Sequence, residues 1–192
     1  MPRLADSFDS RDYIITFKQL LSSDTCNTLM SWLKTLPEAT DPWDGWAPAE
    51  AATGHDTNSI TQHRTCDFTM LNEHRAPNYN SIHMALNHVN EQYPYQHQSH
   101  SITGIQVIRY KPGHKFLEHV DHYSGAPRTL SISVLLNDDY AGGRMSFYQS
   151  RHSVDAFCSA GDAIVFPANL CFPHQIEPVT QGERYSMVIW TQ

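Results

Sequence analysis

Short strand patterns follow one another at regular spacing after residue 100, and they constrain the fold more than any other feature. Runs of β-branched and aromatic residues are separated by turns rich in Gly, Pro, Asn and Asp. In the strand predicted at 129–136, apolar residues alternate with mostly small polar ones, so the strand has one apolar face. The eight predicted strands lie near residues 104–110, 115–121, 129–136, 144–149, 153–158, 162–166, 173–178 and 184–191.

The first half of the chain predicts helices instead. Ser23 is the predicted N-cap of a helix that runs to about Leu36, because apolar residues recur after it at helical spacing. A second apolar stripe predicts a helix from Asn80 to about Gln92. Many short strands after a helical section predict a mainly β fold with flanking helices, namely a jelly roll or a similar barrel.

Length and charge narrow the classes of protein. A chain of 192 residues fits one domain, with helical support at 12–95 and the strands at about 102–191. The net charge of −7 counts against nucleic acid as the main partner, because such proteins usually carry a basic excess. The sequence has neither a signal-peptide pattern nor a transmembrane stretch, so we expect a cytoplasmic protein without a membrane partner.

A candidate metal site begins with His119-Val120-Asp121. Residues i and i+2 of a strand point to the same side, so the imidazole and the carboxylate converge. His174 lies further along the chain and offers a third ligand. Two histidines and one carboxylate form the ligand set of non-haem Fe(II) oxygenases, which leaves coordination positions open. A structural zinc site would require four protein ligands, usually including cysteine.

Arg184 and Ser186 follow His174 and share one face of the last predicted strand. A guanidinium offers a fixed fork for a carboxylate, and a hydroxyl adds one donor beside it. The pair is therefore predicted to bind the distal carboxylate of a dicarboxylic co-substrate. The competing interpretation of Arg184 is a surface salt bridge. The strongly apolar strand that it opens favours a place inside the barrel.

The stretch from Gln106 to Asp121 resembles the signature of prolyl 4-hydroxylases and their relatives, which reads Q-V-x-x-Y-x-x-G-x-x-[FY]-x-x-H-x-D. The turn at Gly142-Gly143, the segment 161–167 and the closing segment from His174 to Trp190 are similar to this family as well. The resemblance covers residues about 102–191. The matching signature positions are Gln106, Val107, Tyr110, Gly113, Phe116, His119 and Asp121.

This resemblance implies a double-stranded β-helix (jelly roll) core and an Fe(II)- and 2-oxoglutarate-dependent dioxygenase. It implies that His119, Asp121 and His174 bind the iron, and that Arg184 holds 2-oxoglutarate with Tyr110 as a further contact. O2 is the second co-substrate, and ascorbate is the expected reductant. The phenol of Tyr110 can donate one hydrogen bond to a carboxylate in an apolar pocket, although packing at a strand end would also explain it.

Two positions refine the resemblance. The collagen-type enzymes have a lysine where Arg184 stands, so this chain is more similar to relatives that use arginine. Nucleic-acid demethylases of the superfamily carry a second arginine six residues after the first. Trp190 occupies that position here, which counts against nucleic acid as the substrate.

Three functions remain open on the sequence. The preferred one is hydroxylation of a prolyl residue in a protein or peptide. The others are hydroxylation of a free amino acid or other small molecule, and a non-catalytic metal-binding β-barrel module. The loops at 37–63 and 67–80 are expected to decide between peptide and small molecule. Tyr123 and Arg128, just after the metal motif, are expected to lie near the substrate.

Overall fold

A computed structural model describes residues 10–49, 63–95, 101–122, 124–125, 127–148 and 159–192 of the chain. The described elements are two α-helices, one short 3-10 helix (Ser10–Tyr13) and thirteen strands. In chain order, the α-helices and strands are β1 (Ile15–Phe17), α1 (Ser23–Leu33), β2 (Ala47–Pro48), β3 (Arg64–Thr65), β4 (Asp67–Met70), α2 (Tyr79–Gln92), β5 (Gln106–Tyr110), β6 (Lys115–His119), β7 (Leu130–Leu135), β8 (Ala141–Gly142), β9 (Met145–Phe147), β10 (Ala163–Pro167), β11 (His174–Ile176), β12 (Val179–Gln181) and β13 (Arg184–Trp190).

Two antiparallel sheets form the core. The major sheet has seven strands in the order β1-β10-β7-β13-β5-β4-β2, and the minor sheet has four in the order β3-β6-β11-β9. Strands β8 and β12 pair separately. Side chains from both large sheets share one buried cluster, so the sheets face each other. The predicted mainly β class with flanking helices is thereby confirmed.

Each strand of the major sheet divides its residues between two environments. On β7, Ile132 and Val134 pack in the cluster that also holds the buried residues of α1 and α2. The alternate residues of the same strand, Ser131 and Ser133, line a cavity between the two sheets. The period of two along a strand therefore separates the structural face from the face that carries polar chemistry.

The two helices are found close to their predicted positions. Helix α1 is capped by Ser22, whose side chain accepts a hydrogen bond from the Thr25 amide, so the predicted cap at Ser23 was wrong by one residue. The helix ends at Leu33, before the predicted Leu36. Helix α2 buries Ile82, Leu86 and Val89. Within the described ranges, neither helix is long and apolar enough to cross a membrane.

The strands show where the sequence pattern was incomplete. Seven of the eight predicted strands are present, most of them shorter than predicted, and the eighth, at 153–158, lies outside the described residues. Strands β8 and β12 occupy two of the predicted turns, where Val179 pairs with Gly142. The pairing of two short segments far apart in sequence has no local signal, because it depends on tertiary contacts.

Trp46 attaches the described part of the segment between α1 and β3 to the core. Its indole nitrogen donates to the Leu33 carbonyl at 3.1 Å, and the Arg109 guanidinium lies 4.5 Å from its ring centroid. Arg109 in turn forms ion pairs with Asp67 and Glu38. Trp43, the other tryptophan of the segment, is 48% exposed and anchors nothing comparable. The described part, residues 37–49, is therefore packed on the major sheet.

Asp162 links the beginning of the chain to β10. Its carboxylate accepts hydrogen bonds from the Lys18 ammonium at 2.8 Å and from the backbone amides of Gln19 and Ser159 at 2.8 and 3.0 Å. Burial by itself raises the pKa of Asp162. The ion pair and the amide donors outweigh this effect and lower the pKa below its usual range.

We therefore expect Asp162→Asn to lower the free energy of unfolding by about 2 kcal/mol at pH 7, because a carboxylate with several donors is lost. Since the folded-state pKa is depressed, this stabilisation is present above the unfolded-state pKa and disappears as the pH falls through the folded-state value. Urea unfolding at pH 7 and pH 3 measures the difference, with the exposed Asp44→Asn as a control. An equal loss at both pH values would contradict this assignment.

Candidate metal centre and cavity

Three side chains converge in the space between the two sheets. His119 and His174 come from paired strands of the minor sheet, where their Cα atoms are direct partners across β6 and β11. Asp121 follows β6. The distance from His119 Nε2 to Asp121 Oδ1 is 3.5 Å, and that from His174 Nε2 to Asp121 Oδ2 is 3.6 Å. One ligand atom from each residue lies within 4.8 Å of the other two, which is close enough to share one ion.

The backbone around His119 and Asp121 differs from the single straight strand that the sequence predicted. Strand β6 ends at His119, so Asp121 lies in the following bend and not at position i+2 of a strand. A bulge also gives β6 one extra residue opposite β11, because His119 pairs with His174 while Phe116 pairs with Ile176. The bulge places Phe116 and His119 on the same side, and their rings stack with centroids 3.4 Å apart.

Both histidines present the same nitrogen to the centre. His119 Nδ1 is 2.8 Å from the Leu117 carbonyl, and His174 Nδ1 is 3.1 Å from the Phe172 carbonyl. Because a carbonyl oxygen can only accept, each Nδ1 carries the proton and donates it. The Nε2 atoms are then free of protons in the neutral rings and offer lone pairs toward Asp121. This is the usual orientation of metal-binding histidines.

Asp121 is buried and ionised. Burial by itself raises its pKa, but attraction to His174 and His119 and a hydrogen bond from the Ser131 hydroxyl together lower the pKa well below its usual range. The Ser131 Oγ–Asp121 Oδ2 distance is 2.6 Å. Burial also lowers the pKa of His174, to about 4, so this ring is neutral at pH 7. The donor set is thus two imidazoles and one carboxylate, which fits Fe(II).

The centre opens into a cavity of about 500 Å³ between the sheets. This volume lies in the range of small-molecule and cofactor sites. Its walls come from β5, β7 and β13 on one side and from β3, β6, β9 and β11 on the other. The cavity is therefore large enough for a small dicarboxylate beside the metal together with part of a second molecule.

Arg184 and Ser186 lie on the cavity face of β13, as their spacing predicted. Both are buried, and the Arg184 guanidinium donates to the Ser186 hydroxyl at 2.8 Å. Among the described residues, the buried Nε of Arg184 has no hydrogen-bond partner. A buried donor without a partner is costly in an empty site, so it fits a site that receives a carboxylate. This burial excludes the competing interpretation of Arg184, a surface salt bridge.

Tyr110 and Gly143 complete the surroundings of Arg184. The Arg184 guanidinium carbon lies 5.6 Å from the Tyr110 ring centroid. Burial raises the pKa of Tyr110, so its phenol remains a donor at neutral pH. Gly143 has φ +63°, and a Cβ there would approach the Arg184 side chain to 3.0 Å. This glycine therefore leaves room for the arginine.

Several cavity residues were not identified from the sequence. Ser131 supports Asp121, and its only signal was the alternation of small polar residues along β7. Arg64 enters the cavity from β3, which pairs with β6 across a separation that local patterns do not report. Trp190 also faces the cavity. Its buried indole nitrogen has no partner among the described residues, and Arg128 lies 3.5 Å above its ring.

Tyr123 and Arg128 were the two residues expected near the substrate. Arg128 lines the cavity, and its guanidinium donates to the backbone carbonyl of Asp121 at 3.0 Å. Tyr123 lies outside the described residues. Of the predicted loops, residues 50–62 also lie outside them.

We expect Ser131→Ala to weaken Fe(II) binding about 10- to 100-fold, because the hydroxyl holds one carboxylate oxygen of Asp121 in place. Titration with Fe(II) under anaerobic conditions measures the change. Ser133→Ala is the matched control, since Ser133 lies on the same face of β7 and lines the cavity without contacting Asp121. Equal metal affinity in the two variants would remove Ser131 from the support of the metal centre.

Comparison with known proteins adds independent findings. Residues 105–192 match the sequence model of the 2OG-Fe(II) oxygenase superfamily. A PKHD-type hydroxylase of Hyphomonas neptunium is 33% identical over 103 residues, which cover 48% of this chain and 45% of that protein. The chain thus spans about half the length of the curated relatives that it matches. All of the residues discussed at the metal centre except Arg64 lie in the matched stretch.

Solved structures resemble the whole described fold. A prolyl-4-hydroxylase of Pseudomonas putida superposes with a TM-score of 0.72 at 18% identity and covers 94% of this chain and 92% of its own. A prolyl hydroxylase of Trichoplax adhaerens, solved with a peptide fragment of hypoxia inducible factor, gives 0.74 at 13% identity over 93% and 83% of the two chains. These similarities confirm the jelly-roll core, which the sequence predicted.

Proposed function

We propose that this chain, whose residues 105–192 match the sequence model of the 2OG-Fe(II) oxygenase superfamily, is a dioxygenase that hydroxylates a C–H bond of a prolyl residue in a protein or peptide. The reaction consumes 2-oxoglutarate, O2 and the substrate, and it forms succinate, CO2 and the hydroxylated product. The observation that carries the proposal is the convergence of two imidazoles and one carboxylate beside a buried arginine in one cavity. We also propose that residues 1–192 form one domain, in which the helices support the β core.

Three residues are proposed as iron ligands. His119 and His174 would bind through Nε2, since each Nδ1 is engaged by a backbone carbonyl. Asp121 would supply the third protein ligand and partly neutralise the ion. When bound, Fe(II) supplies the oxidising chemistry that allows O2 to react with an unactivated C–H bond. The protein supplies three ligands on one side and keeps the other side open to the cavity.

Arg184 is proposed to orient 2-oxoglutarate. Its guanidinium would bind the distal carboxylate, with the Ser186 hydroxyl beside it and the Tyr110 phenol as a further donor. The apolar side chains around this end of the cavity, among them Ile108, exclude water and strengthen the ion pair. One end of the co-substrate is thereby fixed while the other faces the metal centre.

Two kinds of observation support a peptide as the substrate. The structural neighbours include a prolyl hydroxylase solved with a peptide fragment. The cavity also extends beyond the space that a metal and a five-carbon dicarboxylate require. A prolyl residue bound in this cavity would have its ring among lining side chains such as Trp190 and Val188.

The test is succinate formation by the purified chain with Fe(II), ascorbate, O2 and 2-oxoglutarate. A panel of proline-containing peptides and free amino acids is added, and the product is examined for a mass increase of one oxygen atom. Peptide-dependent succinate with matching product supports the proposal. Turnover of free amino acids alone would assign the small-molecule function. Failure to form succinate under all conditions would favour the non-catalytic module.

A further inference from the structure

Arg64 is a cavity residue that the proposed chemistry does not use. It lies on β3, where its Cα is paired with that of Phe116 on β6, and its side chain lines the cavity. Its Nε donates to the Cys66 thiol at 3.1 Å, and its guanidinium carbon lies 4.8 Å from the Phe116 ring centroid. These two contacts fix the plane and position of the guanidinium.

The outer part of this guanidinium has no acceptor. No described residue accepts a hydrogen bond from its two terminal nitrogens, and no described carboxylate lies in ion-pair contact with it. Arg109, whose guanidinium also packs on an aromatic ring, is instead paired with Asp67 and Glu38. An arginine that lines a cavity and has no counter-charge among the described residues is available to bind an anionic group of a ligand.

The charges of the cavity indicate the sign of that ligand. Its described lining contains three arginines and a single carboxylate, Asp121. In the proposed complex, 2-oxoglutarate brings two carboxylates, one for the metal and one for Arg184. Asp121 faces the metal. Arg64 therefore stays without a counter-charge after metal and co-substrate have bound.

The position of Arg64 indicates which molecule brings the missing charge. Its guanidinium packs on the ring of Phe116, which stacks on that of His119 with an interplanar angle of 12°. Arg64 is thus one aromatic ring away from a proposed iron ligand. Consecutive residues of an extended peptide are spaced by about 3.3–3.6 Å. A group on Arg64 would therefore belong to a residue next to, or one removed from, the residue that reacts.

We infer that Arg64 binds a carboxylate of the substrate, so the substrate class is an acidic peptide whose carboxylate lies close in sequence to the hydroxylated residue. The carboxylate comes from an Asp or Glu side chain or from a C-terminus at that position. This inference rests on the proposed function for the identity of the site. It adds a specificity residue from β3, outside the matched stretch 105–192.

The test uses the full chain and fluorescein-labelled hexapeptides with one central proline. Each peptide carries Glu at one position within two residues of the proline, and its matched version carries Gln there. A further pair, truncated after the residue next to the proline, ends in a free acid or an amide. Binding is measured by fluorescence anisotropy in the presence of Mn(II) and 2-oxoglutarate, so it does not depend on turnover.

We expect at least one Glu peptide, or the free-acid peptide, to bind about tenfold or more tightly than its neutral match, as for a charge-assisted hydrogen bond. Arg64→Gln should abolish this preference. Arg64→Lys should retain part of it, because the charge stays while the fork is lost. Lys115→Gln is the control, since Lys115 carries the same charge on the paired strand but does not line the cavity.

Three results would overturn the inference. The inference fails if the natural chain binds the acidic and the neutral peptide of every pair equally, or binds no acidic peptide. Either result would show that Arg64 does not bind a substrate carboxylate. A loss of preference in Lys115→Gln equal to that in Arg64→Gln would reduce the effect to general electrostatics. A raised 2-oxoglutarate requirement in Arg64→Gln with unchanged peptide preference would assign Arg64 to the co-substrate. Succinate formation without added peptide tests the dioxygenase chemistry separately, so the two failures are distinguishable.

Discussion

Replacing Asp121 with alanine is expected to reduce Fe(II)-dependent succinate formation to the background rate. The substitution removes the single carboxylate of the donor set and leaves His119 and His174 facing an incomplete centre. It also removes the negative charge that offsets the metal ion in a buried site. We expect the largest loss of any single change, at least about 1000-fold in turnover, since the reaction has no other route to O2 chemistry.

The measurement is succinate release over a range of Fe(II) concentrations, together with anaerobic Fe(II) titration. The control is His122→Ala, which removes the imidazole next to Asp121 in sequence. The Nδ1 of that ring lies 2.9 Å from the Arg128 carbonyl, and the ring is not part of the converging group, so metal affinity should stay at the natural level. Thermal unfolding of both variants separates loss of the site from loss of the fold. If Asp121→Ala formed succinate at the rate of the natural chain, Asp121 would not be a ligand of the proposed iron centre.

The second large effect is expected at Arg184. Arg184→Ala should raise the half-saturating concentration of 2-oxoglutarate about 100-fold, because the proposed ion pair between the buried guanidinium and the distal carboxylate would be lost. Turnover at saturating co-substrate should fall much less, since the metal ligands are untouched. Arg184→Lys should recover part of the affinity, because an ammonium restores the charge but not the planar fork.

Steady-state kinetics with 2-oxoglutarate as the varied substrate measures this change. Arg144→Ala is the matched control: Arg144 is paired with Glu177 and does not line the main cavity, so its loss should leave the requirement unchanged. The absorption band that Fe(II) and 2-oxoglutarate give together provides a binding readout independent of turnover. Unchanged co-substrate affinity in Arg184→Ala would exclude the proposed clamp.

Much of this site could be predicted from the sequence, because the faces of its strands and helices follow the periodicity of neighbouring residues. A period of two along β13 places Arg184 and Ser186 on one face and Met187 on the other, and the structure has the same division. The helical stripe of α2 buries Ile82 and Leu86 against the outer face of the major sheet. Such periodic patterns can be recognised in a sequence because each one depends only on residues a few positions apart.

Other features were inaccessible because they depend on pairing between distant segments. The bulge in β6 exists only against β11, and it decides that Phe116 stacks on His119. Asp121 was expected within a strand but lies after its end, and its position is held by Ser131 from another strand. Hydrogen-bond partners of this kind have no signal in the spacing of either residue alone.

By itself, the sequence determined the fold class, the three residues that converge and the arginine that faces the same space, since a spaced signature and the alternation along β13 report them. Only the tertiary structure decided how these groups are oriented and which further residues join them. Backbone carbonyls set the tautomer of both histidines, and strand β3 carries Arg64 into the cavity from a distant part of the chain. The physical reason is that alternation acts through adjacent residues, whereas orientation and charge balance arise from contacts made only when the sheets pack together.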